Sequence, residues 1–305
     1  MRVGLLFPVV AVLFDPCSAA ACILVADKPI AVSGEEVLLV WDEATKSEEL
    51  IRYIDFRGDA EDFGFVVPTP GEPTIRTLNS RTVFETLTSL YRGPKLRSEV
   101  RGLKGRAKAS GGVQVVSRVS LPAAGQTATV LAADNAGALN AWLAEHNYPA
   151  SAALEAYYRP YVEGGYYFTA FRYTKGRTPR SRGAVVSLSF KSDALFFPYA
   201  EPKSGRPSRP FRLSVLARAP VLATVGAKPW KARIGFRGQI STETKYQILS
   251  ASDTQLPGDR WFLTTFDEPR SRRGRDDLLF SLNPDAQDVP GRLKTIIGAR
   301  PDYIY

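Results

Sequence analysis

Three carboxylates fall between positions 59 and 62, at Asp59, Glu61 and Asp62. They sit in the run Arg57-Gly58-Asp59-Ala60-Glu61-Asp62-Phe63-Gly64-Phe65-Val66-Val67-Pro68-Thr69-Pro70. Two chemistries suit such a group. Closely spaced oxygen ligands bind Ca²⁺, but a calcium loop needs more oxygens than these, and the spacing matches no EF-hand. Two carboxyl groups with separated pKa values act as acid and base in glycoside hydrolysis. The competing assignment is a turn, in which Asp59 caps backbone donors and Glu61 or Asp62 pairs with Arg57. We take the turn as the working reading and keep a carboxylate-dependent hydrolase using Asp59, Glu61 and Asp62 as the alternative.

Other familiar sites are missing from the sequence. There is no Gly-x-Ser-x-Gly, no Walker loop and no dinucleotide glycine pattern. His146 is the single histidine, which excludes His-rich zinc sites and the His-Glu-x-x-His proteases. It falls at a predicted helix end, where a capping role is ordinary. No cofactor and no metal site are expected.

The elements around the carboxylates read as strands. Leu50 to Phe56 is rich in β-branched and aromatic residues. Gly58 supplies positive φ, and Phe63, Phe65 and Val67 alternate with Gly64 and Val66, the period of a strand. The expectation is a hairpin with the acidic run at its turn. Pro68 and Pro70 are expected to end the pairing, and Gly64 predicts a bulge or a close backbone approach.

Four stretches together resemble a secreted bacterial family catalogued as domain of unknown function twenty-three-thirty. They are Ala19-Ala20-Ala21-Cys22, the strand Glu36 to Asp42, the Gly58-Asp59-Ala60-Glu61-Asp62-Phe63 run ending in Pro-x-Pro, and the block from Val130 to Tyr148. The resemblance covers about the first two thirds of the chain and thins beyond Ala200. It implies export and no established activity. Such a family also implies further cysteines, which this chain lacks after Cys22, so no thiol role carries over.

Residues 1–21 read as a signal peptide. Arg2 is the positive start, Gly4 to Phe14 the apolar run, and Ala19-Ala20-Ala21 the cleavage pattern. Cys17 leaves with it, so Cys22 stands alone and no internal disulfide is expected. Lipidation of Cys22, anchoring the chain to a membrane, is a second reading. Ala19 at position −3 and the polar spacer before Cys22 argue against it. No other segment is long and apolar enough to span a bilayer. The net charge is +9, and removing Arg2 and Asp15 together leaves it unchanged. A basic exported chain is drawn to anionic envelope components.

The rest is mostly strand. Cys22 to Pro70 reads as a meander, followed by a helix over Thr82 to Tyr91 and a basic loop over Lys95 to Gly112. That loop has no aromatic platform, which argues against specific nucleic-acid binding. Helices are predicted from Asp134 to His146 and from Ser151 to Tyr161, the aromatic cluster Tyr157 to Tyr173 being their seam with a sheet. Tyr166–Tyr173 and Ala184–Phe190 look like a hairpin around a basic loop at 175–183, a candidate sub-domain boundary. Phe211 to Arg218 and Trp230 to Arg237 alternate apolar and basic residues, predicting strands with a basic outer face. Lys231, Arg233 and Arg237 are the candidate contacts for an anionic ligand; a solvated face that discourages edge pairing is the competing reading. Tyr246–Leu249 and Trp261–Phe266 complete the strands, and Arg270 to Arg275 are placed in a loop.

The expected fold is therefore α+β over 22–305, mostly antiparallel sheet of meander or sandwich type, with two or three helices packed on it. The expected function is that of a secreted or periplasmic, non-catalytic binding or envelope-associated module.

Overall fold

The computed structural model describes residues 25–26, 30–58, 63–78, 82–90, 112–121, 126–173, 185–202, 209–250, 254, 256–271 and 273–290. In chain order the elements begin with β1 (Val25–Ala26), β2 (Ile30–Asp42), β3 (Ser47–Gly58), β4 (Phe63–Thr69), β5 (Thr74–Leu78) and α1 (Thr82–Leu90). Next come β6 (Val113–Leu121), β7 (Gln126–Ala133), α2 (Ala136–Glu145), α3 (Ala152–Glu163), β8 (Tyr167–Tyr173), β9 (Val185–Lys191) and β10 (Phe196–Phe197). The last are β11 (Arg209–Ala217), β12 (Val221–Val225), β13 (Lys228–Pro229), β14 (Arg233–Ile240), α4 (Thr242–Leu249), β15 (Trp261–Ser271) and β16 (Leu278–Leu282).

They form a seven-stranded sheet (β14-β15-β11-β2-β3-β9-β5), a five-stranded sheet (β1-β4-β8-β7-β6) and a four-stranded sheet (β10-β16-β12-β13). Strand pairing is antiparallel apart from β2 beside β11. Side chains alternate across each strand, and this sorts the core into layers. On β2, Val37, Leu39 and Trp41 join Phe63, Phe65 and Val67 of β4 and Phe171 of β8 in a core between the two large sheets. Leu38 and Val40 face the other way, against Val83, Phe84 and Leu87 of α1 and Ile248 and Leu249 of α4. Val66, Leu131 and Phe168 meet α2 and α3 on the outer side of the five-stranded sheet. Two sheets thus lie between two helical layers.

Several expectations need correction. Leu50–Phe56 and Phe63–Val67 are not a hairpin, because β3 pairs with β2 and β9 while β4 pairs with β1 and β8 in the other large sheet. The meander stops at β3. Tyr166–Tyr173 and Ala184–Phe190 likewise belong to different sheets. Four helices are described rather than two or three, since Tyr246–Leu249 lies in α4. Ser241 caps that helix by accepting from the Thr244 N–H at 3.1 Å, and Lys245, Ile248 and Leu249 form its buried stripe. The short apolar run there imitates a strand. Helix α2 is capped by Asn135, one residue after the predicted Asp134.

Strand β11 has no basic outer face. It is central, flanked by β15 and β2 and covered on both sides, so Arg212 is buried. Pairing also continues past Pro68, opposite Phe168. Strand β1 reaches only Phe63 and Gly64, so a residue without an N–H is tolerated further along β4. Gly64 marks a close approach: a Cβ there would lie 2.5 Å from Tyr148 Cε1 and 2.7 Å from the Phe171 carbonyl oxygen.

Candidate functional site

The residues 195–202 run buried beside the seven-stranded sheet with almost no regular structure. Backbone donors in such a segment need partners, and here carboxylates supply some of them. The Phe196 N–H donates to Glu48 Oε2 at 3.0 Å, and the Ala200 N–H to Asp277 Oδ1 at 2.8 Å. Tyr199 donates its hydroxyl to Glu268 Oε2 at 2.5 Å. The segment therefore draws Glu48, Asp277 and Glu268 against it.

One group is a cluster of ion pairs. Glu35 on β2 lies 2.7 Å from Arg52 Nη2 on β3 and accepts from Arg273 Nη2 at 2.5 Å. Arg209, which opens β11, pairs with Glu201 and stands 3.9 Å from Glu35. Arg273 Nε is 3.8 Å from Glu201. All five side chains are 3% exposed or less. The Arg273 guanidinium also lies over the Phe211 ring at 4.3 Å and the Tyr199 ring at 4.8 Å. Burial pushes the Glu35 carboxyl up, but Arg273, Arg52 and Arg209 outweigh it and hold the pKa at about 2. Glu35 is ionised at every ordinary pH.

The second group behaves oppositely. Glu48 is fully buried, and burial drives its pKa well above the carboxylate range against the single hydrogen bond from Phe196. Among the described residues its Oε1 has no hydrogen-bond partner. Asp277 accepts from the Tyr161 hydroxyl at 2.9 Å, and burial lifts its pKa to about 6 despite the bonds from Ala200 and Tyr161. Burial and the neighbouring Asp277 and Glu48 raise Tyr166 as well. Glu48 is held in its proton-bearing form, whereas Asp277 gives up its proton as pH rises through about 6; the rings of Tyr161, Tyr166 and Phe196 pack tilted or edge to face beside them.

Asp59, Glu61, Asp62 and Cys22 lie outside the described residues. The acidic run spans the link from β3 to β4, where the chain passes between sheets. Lys231 is exposed just before β14. Arg233 on that strand is 57% exposed and reaches Asp267 at 2.7 Å, while Arg237 donates to the Gln287 carbonyl at 2.6 Å. The three are close in sequence, yet two of the guanidinium groups already have protein acceptors. His146 takes the C-cap of α2, stacks on Trp142 at 3.8 Å, and offers its own carbonyl to Arg172 at 2.7 Å. The tyrosine cluster is a core seam: Tyr158, Tyr161 and Phe168 are buried between α3 and the five-stranded sheet. Among the described residues, no group of His, Cys, Asp or Glu is arranged to hold a metal. No described helix is long and apolar enough to cross a membrane.

None of Glu35, Glu48, Arg52, Glu201, Arg209, Arg273 or Asp277 stood out as a site in the sequence. A signal was present for three. Glu35 has the strand parity of Val37, Leu39 and Trp41; Arg52 that of Leu50 and Ile54; Arg209 that of Phe211 and Leu213. A charge at an apolar-parity position forecasts a buried partner of opposite sign.

Fold and charges together define a layered protein of two packed sheets between helices, whose central ionisable groups pair inside the core. The chain belongs to the family described as an uncharacterized protein conserved in bacteria (DUF2330), which matches residues 16–244. The match stops before β15 and Arg273, although β15 completes the seven-stranded sheet between β11 and β14. No curated protein matches the chain. Among solved structures, the crystal structure of baculovirus P35 aligns with a TM-score of 0.35 and 10% identity, covering 84% of this chain and 92% of that chain. That similarity is too low to define a shared fold.

Proposed function

We propose that this protein is an exported, non-catalytic binding or envelope-associated module of bacteria. The observation that carries the reading is that these buried ionisable groups are engaged by other groups of the fold. Glu35 and Glu201 are taken by arginines, Asp277 by Tyr161 and Ala200, and Glu48 by Phe196. Catalytic acids must reach a substrate; these serve the fold. Recognition then falls to the surface, and a net charge of +9 favours anionic envelope components, with Lys231, Arg233 and Arg237 as contacts. The signal-like segment at 1–21 supports export to the periplasm or beyond.

The test combines fractionation, binding and turnover. Expressed in a bacterium, the protein is expected in the periplasmic or secreted fraction, cleaved after Ala21 and free of acyl chains on Cys22 by intact mass. It should co-sediment with vesicles of anionic lipid or with acidic glycan, and Lys231→Glu with Arg237→Glu should weaken that at least several-fold. Turnover of glycan, ester or peptide substrates that disappears in Asp59→Asn or Glu61→Gln would instead establish the carboxylate-dependent hydrolase.

A further inference from the structure

Strand β14 closes one end of the seven-stranded sheet, with β15 on its inner side. An edge strand presents backbone groups that can take up a further strand. Among the described residues, the outer side of β14 is paired at one position. Arg237 and Val289 exchange both backbone hydrogen bonds, at 2.9 and 2.8 Å, in an isolated antiparallel bridge. Outward backbone groups recur at every second residue of such a strand, and β14 keeps a regular register with β15 from Phe236 to Ile240. The N–H and C=O of Gln239 therefore point the same way as those of Arg237. Gln239 is exposed.

The charges at this edge indicate what it takes. Residues 231–240 carry Lys231, Arg233 and Arg237 and no carboxylate. Arg233 is 57% exposed although it reaches Asp267. The segment lying on β14 is of opposite sign: residues 283–290 carry Asp285 and Asp288 and no cation. A Cβ at Gly238 would lie 3.5 Å from Asp288 Oδ1, and Arg237 Nε donates to the Gln287 carbonyl at 2.6 Å. An acidic stretch of chain thus already rests on the basic edge. Its hold there is slight, since none of residues 283–290 is buried and one backbone pair joins them to the strand.

We propose that β14 accepts an extended acidic segment of a partner protein as an added antiparallel strand, in place of residues 287–289. Backbone pairing supplies affinity, and Lys231, Arg233 and Arg237 select negative side chains. A second copy is a poor occupant, because β14 against β14 would set arginines against arginines. The proposal rests on the reading of this basic surface given above and adds backbone pairing, which only a polypeptide supplies.

The probe is a synthetic peptide as long as β14 that alternates glutamate with threonine, compared with its lysine-for-glutamate counterpart. The full chain should bind the first and not the second. On binding, amide exchange should slow several-fold at Gln239 and quicken at Val289. Gln239→Pro, which removes an outward N–H, should weaken peptide binding about tenfold. Val289→Pro, which removes the N–H that holds the resident segment, should strengthen it several-fold. Equal binding of the two peptides, an unchanged Gln239 amide, or unchanged affinity in Val289→Pro would overturn the proposal. Co-sedimentation with anionic vesicles or acidic glycan separates the two readings. If it persists while the peptide fails to bind, strand addition alone is wrong; if both fail, the basic surface reading falls with it.

Discussion

Arg273 donates to Glu35 at 2.5 Å across 238 positions of sequence, joining the segment after β15 to a central strand. The contact is buried and shares its carboxylate with Arg52. Glu35→Gln would take the carboxylate partner from Arg52 and remove one from Arg209 and Arg273, which keep Glu201. We expect a loss of about 3–5 kcal/mol, as for one partner removed from a buried pair. Urea denaturation would read it as a lower midpoint with an unchanged slope. The contribution of Glu35 is complete above its unfolded pKa and is lost as pH falls toward about 2.

The same substitution at Glu48 should behave differently. Glu48 is held neutral by burial, and its Oε2 only accepts from Phe196. Glutamine keeps that acceptor and changes no charge. Glu48→Gln is expected to cost about 1 kcal/mol, set by the extra N–H left in the core. A loss as large as that of Glu35→Gln would mean that Glu48 is ionised after all.

Asp277 gives the fold a pH dependence of defined sign. Its pKa rises from 3.8 to about 6 on folding, so between those values the folded chain holds a proton that the unfolded chain has released. This contribution is full below pH 3.8 and is lost as pH rises through about 6. The shift corresponds to about 3 kcal/mol. Asp277→Asn keeps an acceptor for Tyr161 and Ala200 and removes the titration. Its unfolding free energy relative to the parent should therefore climb between pH 4 and 7. Parallel profiles for the two proteins would contradict this account.

Gly64→Ala tests the contact between the five-stranded sheet and the end of α2. The new methyl meets Tyr148, which can shift, and the Phe171 carbonyl, which is fixed in the ladder with β4. Overpacking of this kind costs about 1–3 kcal/mol, so the melting temperature should drop by several degrees. A neutral result would place the strand further from Phe171.

Much of the sheet was readable because strand parity is local. Val37, Leu39 and Trp41 announce a buried face within five residues, and Ser151 opens α3 as expected. Pairing was not readable. Whether Phe63–Val67 turns back on β3 or crosses to another sheet depends on β8, which lies a hundred residues away in sequence, roughly speaking. Arg212 and Arg273 looked like solvent-facing charges because their partners, Asp267 and Glu35, are remote. Local composition counts a charge; it does not see the opposite charge that burial brings to it.

The parallel pairing of β2 with β11 sets a timetable for folding. Strand β2 is made almost at once, yet one of its two neighbours emerges from the ribosome only with residues 209–217, and Glu35 waits longer still for Arg273. Until then the nascent chain lacks one flank of its largest sheet. Truncation anywhere upstream of β15 should yield a sticky, protease-sensitive polypeptide rather than a smaller working unit, so the molecule must be studied whole.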